Sequence, residues 1–446
     1  RLLASERDPG QSSRSNGSTG EIKDIMENTQ AVKKRSWLVH HSPVFYGWVI
    51  WIAATVGILA TSPGQSFSVS LFIDHYIDDY NLSRTYVSGL YGAGTFLSAL
   101  SLTWIGRQID LHGNRLVSTL IAGLFSIALL ACSLMTGPLG ILISFIAIRG
   151  LGQGSLGLAS STSIAEWFET RRGFVMGLSI VIFALFQRLY LPWLQSTIDT
   201  LGWRQTWIIL GGGMALIVLP LTWLLMRDRP EDFGLQPDGR KSNSKIVQQK
   251  TKSGSTLSTA MHTSIFWVFI AGRVMSAGWG TGLIFHQVSI FKNLGHTPLI
   301  SAETYGTAAL ITAASTLLSG WVIDRLKPNI IMAMQLTGLA LACILASVMK
   351  PAALLIVYAA AFGFFMGVGS VFDGTVWVNL YGRKHQGTIR GFVSTALVIG
   401  TSIGPFLFGL SYDRFGNYDI VLWSGAALSA ITILLSLRLR TGLVGS

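Results

Sequence analysis

Gly106-Arg107-Gln108-Ile109-Asp110-Leu111-His112-Gly113-Asn114-Arg115 reads as a short charged turn between two long apolar runs. A second version, Gly320-Trp321-Val322-Ile323-Asp324-Arg325-Leu326-Lys327-Pro328, separates two other apolar runs. In each copy an Asp follows the Gly by four residues, and both positions are offset by 214 between the copies. The offset extends outward from the turn. Asp199-Thr200-Leu201-Gly202 matches Asp413-Arg414-Phe415-Gly416 at 214, and Pro192 matches Pro405 at 213. Arg172-Gly173 and Arg390-Gly391 lie 218 apart, where a loop has grown. The chain therefore reads as two halves of one design.

Twelve apolar runs surround these turns, near 45–72, 85–106, 115–136, 139–165, 174–197, 204–226, 264–290, 301–322, 329–349, 352–381, 391–411 and 418–437. Each is long enough to cross about 30 Å of hydrocarbon. Helices are expected throughout, because a segment in lipid must satisfy its own backbone hydrogen bonds. Half of the residues are hydrophobic and only 12% are charged. A soluble domain carries roughly twice that charge fraction. The 49 glycines and 14 tryptophans suit close helix packing and interfacial belts.

The expectation is an all-α integral membrane protein with twelve transmembrane helices in two six-helix bundles. Its parts are a disordered tail (1–43), an N-terminal bundle (44–226), a linker (227–262), a C-terminal bundle (263–440) and a short tail (441–446). Six spans per half give parallel repeats about an axis along the membrane normal.

The net charge of +12 does not point to nucleic acid, because the basic residues lie in the gaps between runs. With the first tail placed in the cytoplasm, 25 of the 33 Lys and Arg fall on that side and five on the other. Both termini and the linker are therefore expected to be cytoplasmic, in a plasma-membrane protein. The two cysteines each lie inside an apolar run, so neither a disulfide framework nor a metal site is expected. No ATP-binding loop occurs, and the expectation is a protein that is not an enzyme and uses no cofactor.

Further motifs point to a family. Gly106, Asp110, Gly113 and Arg115 fit the signature G-x-x-x-D-R-x-G-R-R, with Leu111 and Asn114 where it has basic residues. Arg149-Gly150-Leu151-Gly152-Gln153-Gly154 looks like a fourth-helix arginine motif. On these motifs the chain resembles the major facilitator superfamily from about Phe45 onward. Phe45-Tyr46-Gly47-Trp48, Trp167-Phe168, Arg227-Asp228-Arg229-Pro230 and Tyr381-Gly382-Arg383-Lys384-His385-Gln386-Gly387 resemble its oxalate/formate antiporter and monocarboxylate porter branch. That resemblance implies small carboxylate substrates. The branch's oxalate carrier has basic residues in its eighth and eleventh helices, and runs 301–322 and 391–411 have none.

Three arginines and one aspartate lie deep inside the runs, away from their ends: Arg149, Arg188, Arg273 and Asp373. Each such charge costs about 2.5–3.5 kcal/mol on insertion scales, so each needs a reason. The resemblance implies that the first, fourth, seventh and tenth helices line a central cavity. Arg149 or Arg188 is expected to bind the substrate carboxylate, since a guanidinium fork donates two parallel hydrogen bonds. The polar neighbours Gln187 and Tyr190 would assist Arg188. Arg273, a further candidate for substrate binding, is expected to pair with Asp373, either as a structural bridge or with Asp373 carrying a coupling proton when the pair opens. A structural Arg149 bonded to helix carbonyls or to Gln153 is the plain alternative. His286 reads as an interfacial histidine. Gly152-Gln153-Gly154-Ser155-Leu156-Gly157 fits a dinucleotide fingerprint but lies within a span, and so reads as helix packing. Asp110, Arg115, Asp324 and Arg325 are expected to gate transport from the cytoplasmic side.

The functional expectation is a secondary transporter of a small organic anion, by proton symport or anion exchange. Its partners would be that anion and the lipid bilayer, with the chain acting as a monomer. A receptor on a transporter scaffold, or a carrier of another solute, is the alternative.

Overall fold

A computed structural model describes residues 36–239, 255–323, 326–381 and 386–438. The tail expectations, most of the linker, Asp324 and Arg325 lie outside the described residues. The described chain is helical, with no strand. Its spans are α1 (Gly47–Tyr80), α2 (84–112), α3 (Asn114–Cys132), α4 (Gly137–Trp167), α5 (Arg172–Leu201) and α6 (Trp203–Leu225). The second six are α7 (Ser264–Phe285), α8 (Pro298–Ile323), α9 (Pro328–Val348), α10 (Ala352–Tyr381), α11 (Gln386–Phe415) and α12 (Asp419–Arg438). Ten of these contain a stretch long and apolar enough to cross a membrane, and α2 and α8 fill the remaining two places. Side chains such as Leu134, Leu189 and Leu216 are exposed at 75% or more. In a membrane protein that surface is the one lipid solvates.

The repeat is visible in the backbone. Pro192 lies inside α5 and Pro405 inside α11. Gly202 ends α5 at φ 83° and Gly416 ends α11 at φ 69°. Both use the left-handed freedom that glycine gives at a helix end.

The charged turn at 106–115 is shorter than its sequence suggests. α2 continues through Gly106 and Asp110 to His112, and the reversal falls on Gly113 alone, at φ 83°. A Cβ at Gly113 would run into the Asp228 carboxylate. That carboxylate reaches in from beyond α6 and accepts the Arg115 N–H at 3.0 Å, capping the start of α3. The second copy uses another device, with Pro328 opening α9 after an extended Lys327. The two turns share a sequence pattern, and the helices that follow them open differently.

Part of the expected linker packs onto the N-terminal bundle. Pro230–Phe233 forms a 3₁₀ turn, and Phe233 is buried with Tyr46, Trp167 and Phe168. Asp238 accepts backbone N–H groups of Glu169, Thr170 and Arg171 and the Thr170 hydroxyl, at the start of α5. Slight burial acts to raise its pKa, and these bonds outweigh it, holding the carboxyl below its usual range. The contact is therefore fully present at neutral pH and is lost only as acid protonates Asp238.

Two seams join the bundles: α2 on α11, and α5 on α8. Small residues allow the approach. Gly92 meets the Ser402 carbonyl, and a Cβ at Gly409 would stand 2.9 Å from Thr85 Cα. Ala184 of α5 packs on Ala309 and Ala313 of α8.

Candidate functional site

The hydrogen bonds seen between the bundles, among residues whose side chains are described, lie at the end remote from the termini. Asp74 of α1 accepts from Arg84 at 2.7 Å and from Lys292 at 2.5 Å. Lys292 follows α7, so this carboxylate ties one bundle to the other. Asp413 of α11 accepts the Thr85 N–H at 2.7 Å. His286 shares Ser88 (3.2 Å), the Pro405 carbonyl (2.8 Å) and the Tyr418 hydroxyl (3.3 Å). It is 1% exposed, so it is a buried joint between bundles and not the interfacial histidine that its position in the run suggests. Arg84 also stacks over Tyr412, 4.9 Å from the ring centre. Asp74, Arg84 and Lys292 did not stand out in the sequence, because each reads as an ordinary charge near the end of a run, and Asp413 stood out only as a member of the repeat.

The three intramembrane arginines differ in what they touch. Arg149 is 7% exposed, at the junction of an α-helix with the π-helix Arg149–Leu156. Its guanidinium donates to Thr95 Oγ1 (3.2 Å), the Gly64 carbonyl (3.3 Å) and Ser66 Oγ (3.4 Å). It also lies 5.1 Å from the Tyr91 ring centre. Gln153 is exposed. Gly152, two residues into the glycine-rich run, packs on the Phe125 ring.

Arg273 of α7 is 8% exposed and grips Asp373 of α10 with a two-pronged bond. Nε donates to Oδ1 at 2.9 Å and Nη2 donates to Oδ2. The Asp373 side chain keeps 35% of its surface open. In this state Arg273 is committed to its aspartate.

Arg188 has no hydrogen-bond or ion-pair partner among the described residues. It lies midway along α5 at the seam with α8. A Cβ on Gly306 would stand 2.8 Å from Arg188 Cα and 3.1 Å from its Cδ, so glycine alone lets α8 lie against it. Gln187 beside it is 7% exposed. The Tyr190 hydroxyl accepts from Ser68 at 3.3 Å, and its ring stacks on Phe186 at 5.0 Å. Phe67 bridges the seam, 6.4 Å from Phe183 and 5.4 Å from Tyr305 between ring centres. Arg188 is half-buried on α5, and Gln187 and Tyr190 beside it in sequence are buried, while Arg149 and the Arg273–Asp373 pair occupy separate places.

Of the four expected gating residues, only Arg115 has a described side chain. It donates to the Trp223 carbonyl at 3.1 Å and stacks over that indole at 4.6 Å, within its own bundle. Asp110 lies in the last turn of α2.

Twelve spans in two related halves, with both seams built from corresponding helices, define the architecture, and residues 50–405 match the model of the Major Facilitator Superfamily. The chain belongs to the Major Facilitator Superfamily. Among curated relatives, a gallate transporter of Pseudomonas putida is 24% identical over 427 residues, spanning 84% of this chain and 91% of the relative. Monocarboxylate transporter 1 of Bos taurus is 24% identical, spanning 85% and 81%. A probable nitrate/nitrite transporter of Mycobacterium tuberculosis is 23% identical, spanning 80% and 88%. Among solved structures, a D-xylose–proton symporter superposes at a TM-score of 0.66 with 16% identity, covering 88% of this chain and 98% of the other. A bacterial homologue of the lysosomal transporter Spinster, in an inward-facing and occupied conformation, gives 0.62 with 17% identity, covering 88% and 94%. This superfamily member is a multi-pass membrane protein of a transporter family.

Proposed function

We propose that this chain is a secondary transporter of a small organic anion, a monocarboxylate or related carboxylate, which it moves by rocking two bundles about a midplane site. The observation that carries the reading is Arg188. Of the three arginines inside the spans, it is the one with no protein partner among the described residues. An unpaired guanidinium in a span is costly unless an anion completes it. Gln187 and Tyr190 supply neutral hydrogen bonding, and Phe67, Phe183 and Tyr305 supply an apolar face for the rest of the molecule. The names of the relatives agree, since gallate, monocarboxylates and nitrate are all anions at neutral pH.

In this reading Arg149 supports the fold of α4 against α1 and α2, and Asp373 takes up a coupling proton when it leaves Arg273. Asp110, Arg115, Asp324 and Arg325 form the gate at the terminal end, and the excess of Lys and Arg there supports a cytoplasmic location for it. The plasma membrane is the expected location.

A thermal-shift panel on purified protein tests the substrate class. Lactate, benzoate, gallate and nitrate should each be compared with the uncharged lactamide and benzamide. Ligand that binds only the folded state stabilises it by about 2.7 kcal/mol at a hundred times its Kd. At least one carboxylate should raise the melting temperature by several degrees and neither amide should. A rise with the amides equal to that with the acids would remove the anion reading.

A further inference from the structure

Gln335 lies in α9 and is 1% exposed. Its Oε1 is buried without a hydrogen-bond partner. Leaving a buried acceptor unpaired is unfavourable, and such atoms are few in folded proteins. The neighbour across the gap is Arg273. A Cβ on Gly369 of α10 would stand 2.5 Å from Gln335 Nε2 and 3.3 Å from Arg273 Nη1. Glycine at 369 therefore keeps open the space that separates the amide from the guanidinium. Arg273 holds Asp373 through Nε and Nη2, which leaves Nη1 as the nitrogen turned to the gap. Nη1 has no partner among the described residues. The Gln335 amide nitrogen and an unused cationic donor thus face one gap, while the orphaned oxygen of the same amide is turned away from it.

Other charges around Asp373 are few. The sequence of α9 contains no charged residue, and its one titratable group is Cys343. α8 carries Glu303 and Tyr305, both in its first third, and α7 carries only Arg273. α10 itself adds Tyr358 and Tyr381, 15 and eight residues from Asp373. α11 brings Arg390 near its start and Tyr412, Asp413 and Arg414 at its far end.

We propose that Gln335 is a positioning residue for Arg273, accepting its Nη1 hydrogen bond when Asp373 is protonated and the two-pronged ion pair loosens. The proposal rests on the coupling role given to Asp373 above. One proton from the aqueous side neutralises the carboxylate, and Arg273 stays cationic. A half-turn of the Gln335 amide brings Oε1 to the gap, where it accepts the Nη1–H. When the proton leaves, Asp373 takes back the guanidinium and the amide turns away. The guanidinium keeps an acceptor in both states, so protonation of Asp373 is less unfavourable than it would be with no alternative partner.

Infrared titration of the protonated-carboxyl stretch, on protein in lipid nanodiscs, reads this without a substrate. The band belonging to Asp373 is the one that Asp373→Asn abolishes. Gln335→Met keeps the length of the side chain and removes its carbonyl. Its midpoint should fall by about one pH unit, a tenfold loss of proton affinity. Gly369→Ala fills the gap and should move the midpoint in the same direction, and it decides the matter if Gln335→Met does not fold. A titrating Asp373 band that neither variant moves overturns this inference alone. The absence of any titrating band assignable to Asp373 overturns the coupling role and this inference with it.

Discussion

Replacing Arg188 by alanine is expected to lower carboxylate uptake into proteoliposomes by about 100-fold in kcat/KM, with the protein still folded. Truncating one partner of a desolvated charge pair costs about 2–5 kcal/mol, and every 1.4 kcal/mol is tenfold. The fold should survive because the Arg188 side chain bonds nothing that would be left orphaned among the described residues. Arg188→Lys keeps the charge and loses the planar fork, so it should retain a part of the activity at a raised KM. Arg149→Ala should behave differently. It strands the Thr95 hydroxyl and the Gly64 carbonyl, while Ser66 keeps its bond to Tyr91, so its loss of activity should come with a lowered melting temperature. Wild-type uptake in Arg188→Ala would sink the binding role.

The second large effect is conformational. Asp74→Ala should shift the protein away from the state seen here by about 3 kcal/mol, roughly a hundredfold change in the ratio of states. Asp74 is 16% exposed at its side chain and Arg84 10%, so removal of the carboxylate leaves a desolvated guanidinium unpaired. Lys292 is 47% exposed, and its share falls toward the under 1 kcal/mol of a surface pair. Lys292→Ala should therefore have the smaller effect. Pulsed electron-spin distances between labels at Asn81 and Arg414 report the separation of the bundles at that end. Cys132 and Cys343 are buried and need not be removed. A longer distance should become the major component in Asp74→Ala. An unchanged distribution would show that the cluster is not what holds this end closed.

Much of the architecture is legible in the order of residues, for a physical reason. A bilayer imposes length and apolarity on every span, so twelve runs and a 214-residue repeat survive as one-dimensional patterns. The odd charges inside those runs are legible for the same reason, since each breaks the pattern. What stays hidden depends on neighbours distant in the chain. Asp228 caps α3 from beyond α6, and nothing local marks it. Asp74, Arg84 and Lys292 look like loop charges until packing brings α1, α2 and the segment after α7 to one point. Gln335 is a neutral residue in a helix, and its orphaned oxygen exists only once α9 packs on α10. The opening turn shows the limit in miniature. Its glycines and charges mark a reversal, yet helical structure runs through Gly106 and Asp110, and the reversal narrows to Gly113.

The central claim is that this superfamily member moves a small carboxylate past Arg188. Tracer exchange into proteoliposomes, with lactate and benzoate set against lactamide and benzamide, tests it most directly. Saturable entry of a carboxylate, with its amide at the level of protein-free liposomes, is the predicted result. Entry of the amides at the rate of the acids, or of neither above protein-free liposomes, would contradict it.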